Sequence, residues 1–376
     1  MITSAFMYVG TYSQPDGPGS GGPESGIHLL RADSATGLLR RAEMTETPEP
    51  SWLAAHPSGR FLYAVNELTE VDGRPGGAVS AFAVDQATGQ LSPLNTRPTA
   101  GRLPCHCVTL NGGRALAVSG YLDGTLEVFP IEDDGTLGRA AAVHRHTGSS
   151  IHPDNQAGPH VHSFNLDPAG RFALVADLGT DRVVVYEFDA ESGALVPRPE
   201  RDARVAPGSG PRHLAFHPGG QFVYLVNELA ATVVAFGYDG AAGVLRELQT
   251  VSTVPDGYAG YRAAAEIVVH PDGRFLYVTN RSSPSDSAPS ERGEDTIAWF
   301  GIDQRSGRLT PLGRVDSGGA VPRTLAIGPD GTRLYVANQR GGNLTTFLID
   351  QPTGALTAAG QVTSVPAPVS LLIAGE

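Results

Sequence analysis

Apolar positions in this chain fall in short runs, separated by turn-forming residues at nearly regular intervals. In the stretch 211–228, PRHLAFHPGGQFVYLVNE, the runs LAF and FVYLV flank the turn HPGGQ. Runs of this length, rich in β-branched and aromatic residues and joined through Pro and Gly, predict a β-hairpin. Helical periodicity is almost absent. Segments 50–68, 104–122, 160–179, 264–282 and 322–340 repeat the pattern when aligned on the turn glycine. The aligned glycines, 59, 113, 170, 220, 273 and 331, lie 54, 57, 50, 53 and 58 residues apart.

A third apolar run follows each hairpin, for example GAVSAFAVD, DRVVVYEFD or GNLTTFLID, then a turn such as ATGQL or PTGAL and a short fourth strand. Four antiparallel strands per unit of about 50 residues is the pattern of a propeller blade. Six units leave the chain ends over. FMYVGTY matches a second strand, GIHLLRAD a third, and PVSLLIA a first strand without its partner. Joining the ends completes a seventh blade and removes the free sheet edge. The expected fold is an all-β, seven-bladed β-propeller with four-stranded antiparallel blades. Residues 1–376 form one domain, and the N- and C-terminal strands share one blade.

Composition narrows the partners. The 376 residues are 40% hydrophobic and carry a net charge of −12, from 27 basic and 39 acidic residues. That balance argues against nucleic acid or an anionic membrane, which call for a basic surface. The N-terminal stretch has no basic n-region and no long apolar h-region, so it does not read as a signal peptide. No apolar run is long enough for a membrane span. The two cysteines, Cys105 and Cys107 in CHC, are poorly placed to bridge each other and read as small buried residues. A cytoplasmic location fits; the oligomeric state is left open.

In a hairpin, the start of one strand and the end of its partner share an edge, which places Arg212 and Glu228 on one face of the ring. Inner strands line a propeller's central channel. First-strand starts then bring Ser51, Cys105, His162, Arg212, Ala265 or Glu266, and Arg323 to the channel mouth. Second-strand ends bring Tyr12, Glu67, Tyr121, Asp177, Glu228, Arg281 and Gln339. The scaffold varies little between units, whereas this set changes among acid, base, imidazole and amide. A concave mouth with converging polar groups suits a small ligand. His160 and His162 share a strand face, and an imidazole can give or take a proton near neutral pH. Glu228 can serve as base or acid, and Arg212, Arg281 and Arg323 suit a carboxylate or phosphate. Together they describe a site for an anionic substrate, with proton transfer and oxyanion stabilisation.

Other polar residues read as structural. His56, His213, His217 and His270 are assigned to turns of the HP-x-G type, with Asp167 and Asp272 in the same set. Asn66, Asn227, Asn280 and Asn338 recur and are expected to fix strand ends. Asp177 and Asp181 fit a turn network as well as a site, and Arg323 fits a simple ion pair as well as a ligand. No P-loop, GxSxG or HExxH motif occurs. No cofactor is expected, and no compact spacing calls for a metal. The Gly/Pro/Ser-rich segments 13–25, 69–77, 144–158 and 282–294 are expected to be loops, and the last two are candidates for a rim or lid.

The motifs MYVGTYS, PHVHSF…ADLGTDRV, GPRHLAFHP…VNE, EIVVHPDGRFLYVTNR and PRTLAIGPDG…VANQ together resemble the seven-bladed propeller lactonase family. That family includes propeller-type 6-phosphogluconolactonases and carboxy-cis,cis-muconate cyclase, and the resemblance spans essentially the whole chain. It implies the propeller, lactone chemistry, and catalytic roles for His162, Arg212, Glu228 and Arg281. Next to these, His160, Arg323, Gln339 and Glu67 are candidates for substrate binding. The chain reads SGY at 119–121, where the family commonly has ANY. A small anionic lactone is the expected substrate, 6-phosphogluconolactone first. A lactonising cyclase acting on a muconate and a non-catalytic binding scaffold are the alternatives. A phosphate or a muconolactone carboxylate would suit Arg212 and Arg281 equally.

Overall fold

The structure is a computed structural model and describes residues 6–374 apart from 15–16, 19–24, 34–36, 191–192 and 283–292. Each repeat folds as a sheet whose strands are hydrogen-bonded in chain order. In the unit quoted above the order is Pro211–Phe216, Phe222–Asn227, Thr232–Asp239 and Val244–Ser252. The described residues form seven such blades. One gains a short extra strand, Ala203–Arg204, beside Arg182–Phe188. The chain ends close the ring as the pattern requires. Pro368–Ala374 is the inner strand, followed outward by Phe6–Thr11, Gly26–Ala32 and Leu39–Glu46.

The core lies between blades. Second strands read almost wholly apolar, as in FVYLVN, because both their faces are covered by neighbouring sheets. Tyr224, Val226, Ala298 and Phe300 of adjacent blades share one buried cluster. Outer strands are mostly exposed or half-buried.

Adjacent blades are also tied by polar bonds. Tyr8, Tyr63, Tyr224 and Tyr277, all buried in second strands, donate to the carbonyls of Gly89, Gly135, Gly307 and Gly354 in the next blade. The turn histidines His56, His217 and His270 meet the carbonyls of Gly113, Gly273 and Gly331 at 3.0, 3.1 and 2.8 Å. Their structural assignment therefore holds, as does that of Asp167, which accepts from Tyr238 Oη of the next blade. The recurring asparagines bind strand-end partners: Asn66 donates to Thr47 Oγ1 and the Pro48 carbonyl, and Asn280 to the Thr253 carbonyl.

Two segments differ from expectation. Within 144–158, residues 144 and 145 belong to an outer strand, Ala142–Arg145. The remainder is pinned by buried Gln156, which donates to the Leu178 carbonyl at 2.8 Å. Segment 69–77 folds as a two-stranded ribbon, Glu70–Val71 with Arg74–Pro75. Most of 282–294 lies outside the described residues.

Ring closure sets a stability prediction. Val369 in the closing inner strand is 1% exposed, whereas Val362 on an outer strand is 62% exposed. Val369→Asp buries an unpaired charge and should lower Tm by on the order of 10 °C. Val362→Asp should leave Tm within about 2 °C. Differential scanning calorimetry of both variants checks this.

Candidate active site

The site is built by a device repeated around the ring. In six blades the pairing of inner and second strand slips by one residue at the mouth end. Such a bulge re-aims the extra side chain. Cys105, His162, Arg212 and Arg323 each occupy the skipped position between the flanking pairs. Five blades enter the inner strand through a residue with left-handed φ followed by proline: Glu49, Leu103, Gly210, Val321 and Ala367. The carbonyls of these five residues accept the backbone N–H of Glu67, Tyr121, Glu228, Gln339 and Tyr12 respectively. The second-strand end is thereby fastened to the inner-strand start, and their two side chains meet at one edge.

Glu228 is the centre of the mouth. Arg212 Nε donates to its Oε2 at 2.8 Å, and Arg281 Nη2 lies 3.0 Å from the same oxygen. Oε1 has no hydrogen-bond partner among the described residues. Arg212 is 3% exposed in its side chain and spends Nη1 on the Ala265 carbonyl, at 2.8 Å, and on His213 Nε2, at 3.3 Å. Arg281 contacts the carbonyls of Ala263 and Ala264 at 3.5 and 3.3 Å. Burial pushes the Glu228 carboxyl up, but Arg281, Arg212 and Arg323 outweigh it and hold the group below its ordinary range. Burial and the neighbouring cations lower Arg212 to about 10, so it is still charged at neutral pH.

A second carboxyl behaves oppositely. Glu67 accepts from Tyr12 Oη at 2.7 Å, and Arg323 Nη2 stands 3.9 Å away, too far for a hydrogen bond. Burial raises the Glu67 carboxyl despite Arg323, Ser51, Tyr12 and Arg212. The Arg323 guanidinium packs 5.3 Å from the Tyr12 ring centre and makes no hydrogen bond among the described residues. It borders a cavity of about 130 Å³, together with Glu228, Tyr261, Arg281, Ser282, Gln339 and Arg340.

His162 is buried beside these groups, its ring 5.1 Å from His213 and 5.5 Å from Tyr121. Burial, then Arg212, His213 and Arg323, push its pKa well down, so it is a neutral imidazole. His160 sits at the rim, stacked on Tyr121 at 4.6 Å. All eight residues singled out from the sequence thus lie around one channel entrance.

Two sequence expectations need correction. Asp177 does not face the mouth. It aligns with the strand-end asparagines, and its Oδ1 accepts from the backbone of His160 and Gly179 while Oδ2 meets His146 Nδ1 at 2.8 Å. Asp181, which the sequence left open between a turn network and a site, accepts from the backbone of Gly208 and Gly210, so both acids belong to turn networks. His213 is not a turn histidine. It lines the channel one level below Arg212, where Glu266 also sits, and Ala265 is the residue level with the mouth. Sequence reasoning missed Tyr261 and Arg340. Tyr261 lies in the inter-blade stretch DGYAGYR and Arg340 directly after Gln339, so only an aromatic in a Gly-rich loop and a neighbouring charge hinted at them.

The clamp on Glu228 makes a pH prediction. A carboxyl pKa held down by cations rises when a cation goes. Arg281→Met should therefore raise the Glu228 pKa, so the group protonates at higher pH than in the wild type. NMR titration of the glutamate carboxyl carbons measures the shift, with Glu228→Gln assigning the resonance.

Residues 6–373 match the family model described as Lactonase, 7-bladed beta-propeller. A 6-phosphogluconolactonase of Bacillus subtilis is 33% identical over 369 residues, covering 98% of each chain. A 6-phosphogluconolactonase of Formosa agariphila is 32% identical, covering 93% of this chain and 94% of that one. Among solved structures, the periplasmic gluconolactonase of Pseudomonas aeruginosa superposes with a TM-score of 0.89, at 32% identity over 99% of both chains. With the fold, the match along nearly its whole length and these relatives in agreement, the chain belongs to the seven-bladed β-propeller lactonase family.

Proposed function

We propose that this protein hydrolyses 6-phosphogluconolactone to 6-phosphogluconate at the channel mouth. One observation carries the mechanism: Glu228 is ionised and held through Oε2 by two guanidiniums, while Oε1 is open beside a cationic cavity. Relatives named for this activity supply the substrate.

Water attacks the lactone carbonyl carbon, and Glu228 Oε1 takes its proton. The tetrahedral oxyanion forms next to Arg281 and the remaining Arg212 donor, Nη2. These charges are already in place and need no reorganisation. The C1–ring-oxygen bond then breaks, and the protonated Glu228 returns its proton to the ring oxygen, which becomes a hydroxyl. The product acid ionises into solvent. His162, neutral and beneath the site, orients the lactone by hydrogen bonding. Arg323, whose guanidinium donors are unspent, holds the phosphate, with Gln339 and Arg340 alongside. Tyr261, 45% exposed at the cavity edge, offers a face for the sugar carbons. His160 flanks the entrance, and Glu67 with Tyr12 supports Arg323 from behind. A cytoplasmic location goes with this proposal.

The assay follows lactone loss with the spontaneous rate subtracted. Glu228→Gln should lower kcat by about 10²- to 10⁴-fold, the usual worth of a positioned base. Arg323→Met should raise KM for 6-phosphogluconolactone by roughly 10- to 100-fold, as expected for a lost charged hydrogen bond. It should shift the unphosphorylated gluconolactone much less. A wild-type protein that adds nothing to the background rate refutes the proposal. Turnover of a muconate in its place would move the assignment to a lactonising cyclase.

A further inference from the structure

Below the mouth, a second ring of side chains lines the channel: Trp52, His106, Ser163, His213, Glu266 and Thr324 border a cavity of about 400 Å³. The bulge makes this possible, since it turns two successive residues, Arg212 and His213, both toward the channel. His213 is buried between the rings of Trp52, His106 and His162, at 5.0, 5.6 and 5.1 Å. Its Nδ1 lies 2.8 Å from Glu266 Oε1. Glu266 is itself anchored by the Ile267 N–H, at 3.1 Å, and by Thr324 Oγ1, at 3.2 Å.

These bonds fix a tautomer. Arg212 can only donate, so His213 Nε2, 3.3 Å from Arg212 Nη1, must be the acceptor, and the proton sits on Nδ1 facing Glu266. With Nη1 bonded to both His213 and the Ala265 carbonyl, rotating or sliding the guanidinium would break a hydrogen bond. Nε is thereby aimed at Glu228 Oε2, and Nη2 is left for the mouth.

We propose that His213, oriented by Glu266, is a positioning residue that holds Arg212 in its working geometry from inside the channel. The kinetic part of this proposal rests on the lactonase function proposed above; the geometric part does not. A misplacement of about 1 Å in a catalytic group costs on the order of 10²-fold in rate, so the effect should be large.

Two substitutions of similar polarity separate positioning from filling. His213→Gln can place its amide oxygen where Nε2 stood and still accept from Arg212. His213→Asn reaches only the Nδ1 position and leaves Arg212 without this acceptor. His213→Asn should lower kcat by about 10- to 100-fold, and His213→Gln should stay within about fivefold of wild type. In an Arg212→Met background, His213→Asn should add no further loss, because its effect runs through Arg212. If His213→Asn does not melt cooperatively, Glu266→Gln, which leaves the imidazole in place, supplies the same comparison with and without Arg212→Met. Crystal structures of the Asn and Gln variants give a readout independent of turnover: the contact between Arg212 Nε and Glu228 should open in the first and persist in the second. Equal losses in the two variants, additivity with Arg212→Met, or an unmoved Arg212 in His213→Asn overturns the proposal. An inactive wild type refutes the lactonase function alone, and the two crystal structures still decide the role of His213.

Discussion

Each bulged inner strand carries one residue more than its partner can pair, and the chemistry of the mouth depends on that surplus. In a regular strand, successive side chains point to opposite faces, so a blade could offer the channel only alternate residues. The bulge breaks the alternation where the strand meets the mouth, and Arg212 and His213 both meet the channel. The entry to the strand is costly. Glu49, Leu103, Val321 and Ala367 take left-handed φ values that non-glycine residues avoid. Their carbonyls then fasten the backbone of Glu67, Tyr121, Gln339 and Tyr12, so the strain is tied directly to the placement of mouth residues.

Electrostatics follow from this crowding. Buried guanidiniums are tolerated when they are paired and their donors satisfied. Arg212 and Arg281 meet that condition by sharing one carboxylate oxygen and using nearby carbonyls. Glu228 is driven to its ionised form as a result. Glu67 has a phenol and a more distant cation, and burial prevails there. Two glutamates at corresponding places in the repeat thus have opposed proton affinities because their partners differ. That difference frees Glu228 Oε1 for a proton and leaves Arg323 with donors to spend.

The rest of the ring keeps these few groups still. Buried tyrosines and turn histidines bond to glycine carbonyls of the next blade, and the sheets pack face to face through shared apolar clusters. Each such hydrogen bond is worth about 1 kcal/mol net. Their larger service is orientation: they fix blade against blade, so residues from different blades, such as Arg212 and Arg281, can share an oxygen. A site supported on rigid elements loses less to fluctuation than one carried by loops.

The period of the apolar runs was enough to determine blades, ring closure and the cluster of His162, Arg212, Glu228, Arg281 and Arg323 at one entrance. Hairpin geometry is local, and every repeat obeys it. The turn histidines and strand-end asparagines were legible for the same reason. Tertiary structure alone decided what lies at different depths along the channel. Asp177 occupies the asparagine position and turns away, because the backbone of His160 and Gly179 claims its carboxylate. His213, next to Arg212 in sequence, drops one level and meets Glu266 of the following blade. No spacing rule distinguishes these cases, since a one-residue bulge leaves no mark in a hydrophobic pattern, and its side chains find their partners only when blades far apart in the chain come together.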